Sequence, residues 1–140
     1  MAGRVAAILL AIVGLALMAT AAFAQRALLE KQELPADLKR QALWMPLTEL
    51  LLGLVFTFGG LYFARRIFAG QQAVQLAYAI AAGIVALTAW GSYMRHNHFW
   101  RETSLGAPPE GSLSLQRCYC GGLALFLDGA LLAAYLMLPL

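Results

Sequence analysis

Residues 118–140 read CYCGGLALFLDGALLAAYLMLPL, a run whose only formal charge is Asp128. A helix rises about 1.5 Å per residue, so a run of this length matches a hydrocarbon core of about 30 Å. On an insertion scale a central Asp costs about 3 kcal/mol and each Leu returns about 0.5 kcal/mol. The leucines of the run therefore still favour insertion. Three other stretches, 5–24, 42–64 and 73–94, have similar length and apolar character.

The expected fold is an all-α integral membrane protein, a bundle of four transmembrane helices forming one membrane domain over 1–140. Its spans are 5–24, 42–64, 73–94 and 118–140, joined by a surface connector at 25–41, a short turn, and a loop at 95–117. Composition agrees: 61% of the chain is hydrophobic and 12% charged, with a mean hydropathy of +0.71. A water-soluble domain of that make-up lacks the polar surface to cover its apolar mass. The net charge of +3 comes from Lys and Arg at span boundaries and in short loops, the usual place for membrane-protein charge. No nucleic-acid partner is therefore expected.

Arg4, the apolar run from Val5 and the tripeptide Ala22-Phe23-Ala24 imitate a secretory signal cleaved before Gln25. The run is longer than a usual signal core, so a retained first span is the expectation. That span places Ala7, Ala11 and Gly14 on one face and Ala16, Thr20 and Ala24 on the next. Small residues so spaced allow close helix contact in lipid. The connector carries Arg26, Glu30, Lys31, Glu33, Asp37, Lys39 and Arg40 among leucines, with Pro35 where a helix can begin, and reads as an amphipathic segment on the membrane surface. Trp44, Tyr62, Trp90 and Tyr93 mark headgroup levels. Gly70, Gln71 and Gln72 supply the turn between spans two and three. Arg26, Lys31, Lys39, Arg40, Arg95, Arg101 and Arg117 lie on one face, against Arg4, Arg65 and Arg66 on the other. By raw count the segments 25–41 and 95–117 face the cytoplasm, matrix or stroma.

Acids inside spans are the first place to look for function, because burying them in lipid needs a reason. Glu49 lies about a third of the way into span two and Asp128 near the centre of span four. Thr88, Ser92 and His96, spaced i, i+4, i+8, form one stripe of span three. Glu49, Thr88, Ser92, His96 and Asp128 together suit an intramembrane polar track of the kind a proton path or cation site needs. The plainer reading is that each acid is satisfied by a hydroxyl, a backbone carbonyl or a basic residue of a neighbouring subunit. Asp128 on the outer surface of the isolated chain favours the subunit contact over a path.

His96, His98, Cys118 and Cys120 form a second set, with the residue types of a zinc site. The C-x-C spacing is tighter than zinc usually takes, and on a helix it turns the two sulfurs about 200° apart. The pair is also poorly placed for a disulfide, so free thiols are expected. His96 or His98 could serve as a haem ligand among Trp90, Phe99 and Trp100, although aromatics at this level ordinarily form the interfacial belt. No metal or cofactor is expected, whereas bound lipid is.

No G-x-S-x-G, H-E-x-x-H, P-loop or dinucleotide fingerprint is present. The expected function is a non-catalytic accessory or assembly subunit of a larger membrane complex, energy-transducing complexes included, with membrane lipids and other subunits as partners. A small proton, cation or solute transporter using Glu49 and Asp128 is the second reading, and a redox, metal or haem protein using His96 and His98 is the third.

Overall fold

A computed structural model describes residues 2–30, 36–68, 70, 72–103 and 111–137 of the chain. All the regular structure among them is helical: α1 (Ala2–Glu30), α2 (Ala36–Ile67), α3 (Ala73–Thr103) and α4 (Ser112–Met137). Each helix contains a stretch long and apolar enough to cross a membrane.

The helices overrun the hydrophobic stretches that announce them. Residues 25–30 continue α1, 36–41 open α2, 95–103 complete α3 and 112–117 begin α4. Both described parts of the polar connector, 25–30 and 36–41, are thus helical, as are 95–103 and 112–117 of the segment after 94; residues 31–35, with Lys31 and Glu33, and 104–110 lie outside the described residues. Hydropathy registers where lipid would end, whereas backbone hydrogen bonding continues through Gln, Arg, Leu and Glu, all good helix formers. An Arg26–Glu30 pair at i, i+4 and 3.5 Å supports the last turn of α1. Pro35 and Gln71 lie outside the described residues. Gly70 takes φ +110° and its carbonyl accepts the amide of Ala73, turning the chain between α2 and α3. An L side chain at that φ would be strained.

Contacts along the helices fix an up-down-up-down arrangement. Gly3 of α1 lies beside Leu136 of α4, while Gly14 lies beside Gly122 and Phe126, so these two helices run antiparallel and both ends of the described chain share one face. Gly53 and Gly60 of α2 meet Thr88 and Ile84 of α3 in the same antiparallel sense. α1 and α4 form the most extensive pair, and α3 packs on α2 and α4 to similar extents, leaving a looser seam between α1 and α2.

Three apolar clusters fill the interior. Met45, Phe99 and Trp100 lie at the loop-rich end with Leu28 packed on them. Met18, Ala21, Val85, Tyr119, Cys120, Leu123 and Leu127 occupy the middle, and Leu61, Ala64, Ala77, Ala81 and Leu131 the far end. The outside is apolar too, with Ile8, Leu9, Val55, Phe63, Leu87 and Trp90 between 49% and 69% exposed. Apolar cover on this scale is foreign to a water-soluble monomer and suits a multi-pass membrane protein.

Glycine sets the α1–α4 distance. A Cβ on Gly14 would fall 2.4 Å from the Phe126 amide nitrogen, one on Gly122 2.7 Å from the Gly14 carbonyl, and one on Gly129 2.6 Å from the Ala11 amide nitrogen. These are backbone atoms, so the helices themselves must part to admit a methyl group. Gly121, by contrast, faces open space. In reversible unfolding in detergent, Gly14→Ala is expected to cost about 1–3 kcal/mol, while Gly121→Ala is neutral or stabilises by up to about 1 kcal/mol. Equal effects would contradict the close approach.

Candidate functional site

One turn of α3 after another brings Ser92 and His96 onto the same inward face, 4% and 0% exposed. Opposite them α2 presents Glu49, 5% exposed, one turn inside Met45. Ser92 Oγ donates to Glu49 Oε2 at 2.5 Å, and His96 Nε2 lies 2.7 Å from the same oxygen. A buried carboxylate is costly unless hydrogen-bonded and paired, and Oε2 receives both partners from α3.

The other two helices hold the imidazole. Gln25, near the end of α1 and 5% exposed, places Nε2 3.2 Å from His96 Nδ1. With the amide so turned, Gln25 donates, Nδ1 accepts, and the ring proton sits on Nε2 facing Glu49. Reversing the amide turns Gln25 Oε1 toward Nδ1, which then donates. Tyr119 of α4 stacks on His96, with ring centres 4.9 Å apart and planes 25° from parallel. The Tyr119 hydroxyl in turn donates to the carbonyl of Pro46 in α2. Cys120 Sγ, 3.7 Å from Ser92 Oγ, completes the cluster.

Glu49 Oε1 is different. It makes no hydrogen bond among the described residues and has only Arg95 Nε, 4.0 Å away on a side chain 43% exposed. That distance permits Coulomb attraction and exceeds a hydrogen bond.

The constellation is not a nucleophile triad. Ser92 donates its hydroxyl hydrogen bond to the carboxylate and not to His96, so the imidazole is not placed to activate the hydroxyl. What the arrangement can do is hold a charge or a proton between Glu49 and His96, away from solvent, with a member on every helix.

Of the five residues of the expected polar track, the structure brings three together. Glu49, Ser92 and His96 form the centre. Thr88 instead turns its hydroxyl onto the carbonyl of Ile84 at 2.8 Å. Asp128 faces outward from α4, exposed and without a hydrogen bond or ion pair among the described residues. The four candidate metal ligands are not gathered. His96 is engaged at both nitrogens, His98 is exposed and pairs with Glu102 at 3.0 Å, Cys118 Sγ reaches the Leu17 carbonyl at 3.5 Å, and Cys120 meets Ser92. No group of three potential ligands occurs among the described residues, and both cysteines are free thiols.

Gln25, Arg95 and Tyr119 are members that the sequence reading missed. A signal for Gln25 existed: Ala7, Gly14, Met18, Ala21 and Gln25 are buried positions of α1, spaced seven, four, three and four, which is one continuous packing stripe. Gln25 lies on that stripe.

The fold and centre define a class: a four-helix bundle of membrane-crossing length closed around a buried Glu–His pair. No family model matches the chain, and neither a curated protein nor a solved structure shows significant similarity to it.

Removing one partner of a buried pair strands the other, at about 3–5 kcal/mol. His96→Leu is expected to cost that much in reversible unfolding, and adding Glu49→Leu to recover part of the loss in a double-mutant cycle. Strictly additive costs would show that the two side chains do not interact.

Proposed function

We propose that this chain is a non-catalytic accessory or assembly subunit of a larger multi-subunit membrane complex, joined to its neighbour through the outward face of α4. The observation that carries this reading is Asp128. It lies on the outside of α4, about 12 Å inside the nearer end of the span Leu113–Leu136 at about 1.5 Å per residue. A carboxyl at that depth against lipid alone is unfavourable by about 3 kcal/mol, and intramembrane acids ordinarily find a partner. Gly121 is exposed on the same face two turns away, and a Cβ there would touch nothing. A second helix can therefore approach closely enough to present a basic or hydroxyl side chain to Asp128.

The transporter reading needs Glu49 and Asp128 on one path. Asp128 on the outer surface and Glu49 enclosed between α2 and α3 favour the subunit reading instead. On the same reading the ends near 25–41 and 95–117, which carry most of the Lys and Arg, face the cytoplasm, matrix or stroma.

Native mass spectrometry after mild-detergent extraction from the source membrane is expected to show unlike chains in fixed stoichiometry. Asp128→Leu releases them while leaving the isolated bundle at least as stable. A wild-type chain recovered alone or as a homo-oligomer contradicts the proposal, and liposome proton flux abolished by Asp128→Asn would support transport in its place.

A further inference from the structure

A groove of about 490 Å³ runs between α2 and α3, separate from the face that carries Asp128. Its walls are Leu52, Phe56, Ile84 and Leu87, and its polar end is formed by Glu49, Ser92 and Arg95. Leu52, Phe56 and Leu87 are 42%, 54% and 69% exposed, so the groove opens sideways through the apolar surface of the bundle. From Arg95 to Ile84 it extends about 16 Å along α3, at about 1.5 Å per residue. The polar end lies toward the loop-rich face and the apolar end toward mid-span, which is how an amphiphile lies in one leaflet.

The polar end is incomplete. Glu49 is 5% exposed, yet its Oε1 has no hydrogen-bond donor among the described residues. Arg95 Nε stands 4.0 Å from that oxygen, too far to bond it directly. An oxygen about 2.8 Å from both would satisfy the pair; Oε1 has almost no free surface, so the Arg95 side chain, 43% exposed, shifts to admit it. It would accept from the guanidinium and donate to the carboxylate, and a hydroxyl does both.

We infer that the α2–α3 groove binds a hydroxyl-headed, lipid-soluble molecule, its hydroxyl bridging Arg95 and Glu49 Oε1 and its apolar body lying against Leu52, Phe56, Ile84 and Leu87. A long-chain alcohol and an alkylated hydroquinone share this chemistry. An ether of the same length can accept from Arg95 but cannot donate to Glu49. The apolar walls set the ligand apart from a lone water, which would fill the polar end and leave the rest of the groove to bulk lipid.

Two substitutions separate the parts of the site. Gly91 lines the groove, and a Cβ there meets no protein atom within 4 Å. Gly91→Leu therefore fills ligand space without colliding with the bundle. In Glu49→Gln, Ser92 and His96 still aim donors at the Oε2 position, which holds the amide oxygen there and turns the amide nitrogen toward the gap. The acceptor for the ligand becomes a donor.

The test titrates purified protein in non-ionic detergent with dodecanol, decyl hydroquinone and dodecyl methyl ether, each followed by native mass spectrometry. The expected result is one equivalent of either hydroxyl compound and at least about tenfold weaker binding of the ether, the scale of one charge-assisted hydrogen bond. Gly91→Leu loses all three, and Glu49→Gln removes the preference for a hydroxyl. Binding of only one hydroxyl compound narrows the ligand to that class. Equal binding of ether and alcohol to the wild type, or unchanged alcohol binding by folded Gly91→Leu, overturns the inference.

Discussion

The rest of the structure depends on the carboxylate of Glu49, held inside the bundle. Lipid tails are as apolar as leucine, so burial alone gives helices little reason to prefer one another to lipid. A withdrawn carboxylate supplies that preference, because the alternative to its partners is an unsatisfied charge in a low-dielectric medium. Ser92 and His96 satisfy Oε2 from α3. His96 is fixed in turn by Gln25 from α1 and Tyr119 from α4. Two helices satisfy that oxygen and the other two position the imidazole, so the centre brings all four together at the loop-rich end.

A second device acts on α1 and α4. Gly14, Gly122 and Gly129 bring the two backbones together along most of their length, where dispersion contacts accumulate without any polar group. The bundle is therefore joined by close backbone contact on one side and by a polar centre on the other, and its two intramembrane acids divide accordingly. Glu49 is spent inside the chain, whereas Asp128 is left on the outer surface of α4 for whatever lies beside it.

The number and type of helices were legible in the sequence because apolar runs of membrane-crossing length admit few alternatives. So was part of the centre: the i, i+4 spacing of Ser92 and His96 placed them on one face of α3, and Glu49 stood out as an acid inside a span. Which way Asp128 faces was not legible, because hydropathy gives depth along a helix and says nothing of direction around it. Its neighbour Gly129 shares a stripe with Gly122, seven residues away, and that stripe faces α1; Asp128 is turned about 100° from it. Gln25 was assigned to a surface connector because the first charge, Arg26, follows it directly, although the packing stripe of α1 runs through it. The role of Tyr119 depends on how α4 rotates against α3, a tertiary fact with no local signature.

The account rests on the contact between His96 and Glu49 persisting in a lipid bilayer. Solid-state nuclear magnetic resonance of the isotope-labelled protein in lipid measures it directly, through the dipolar coupling of His96 Nε2 to the Glu49 carboxyl carbon. A strong coupling consistent with the 2.7 Å separation of Nε2 and Oε2, with the ring proton protected from exchange with water, is the predicted result. An imidazole that exchanges freely with solvent and shows no coupling to Glu49 would contradict the account.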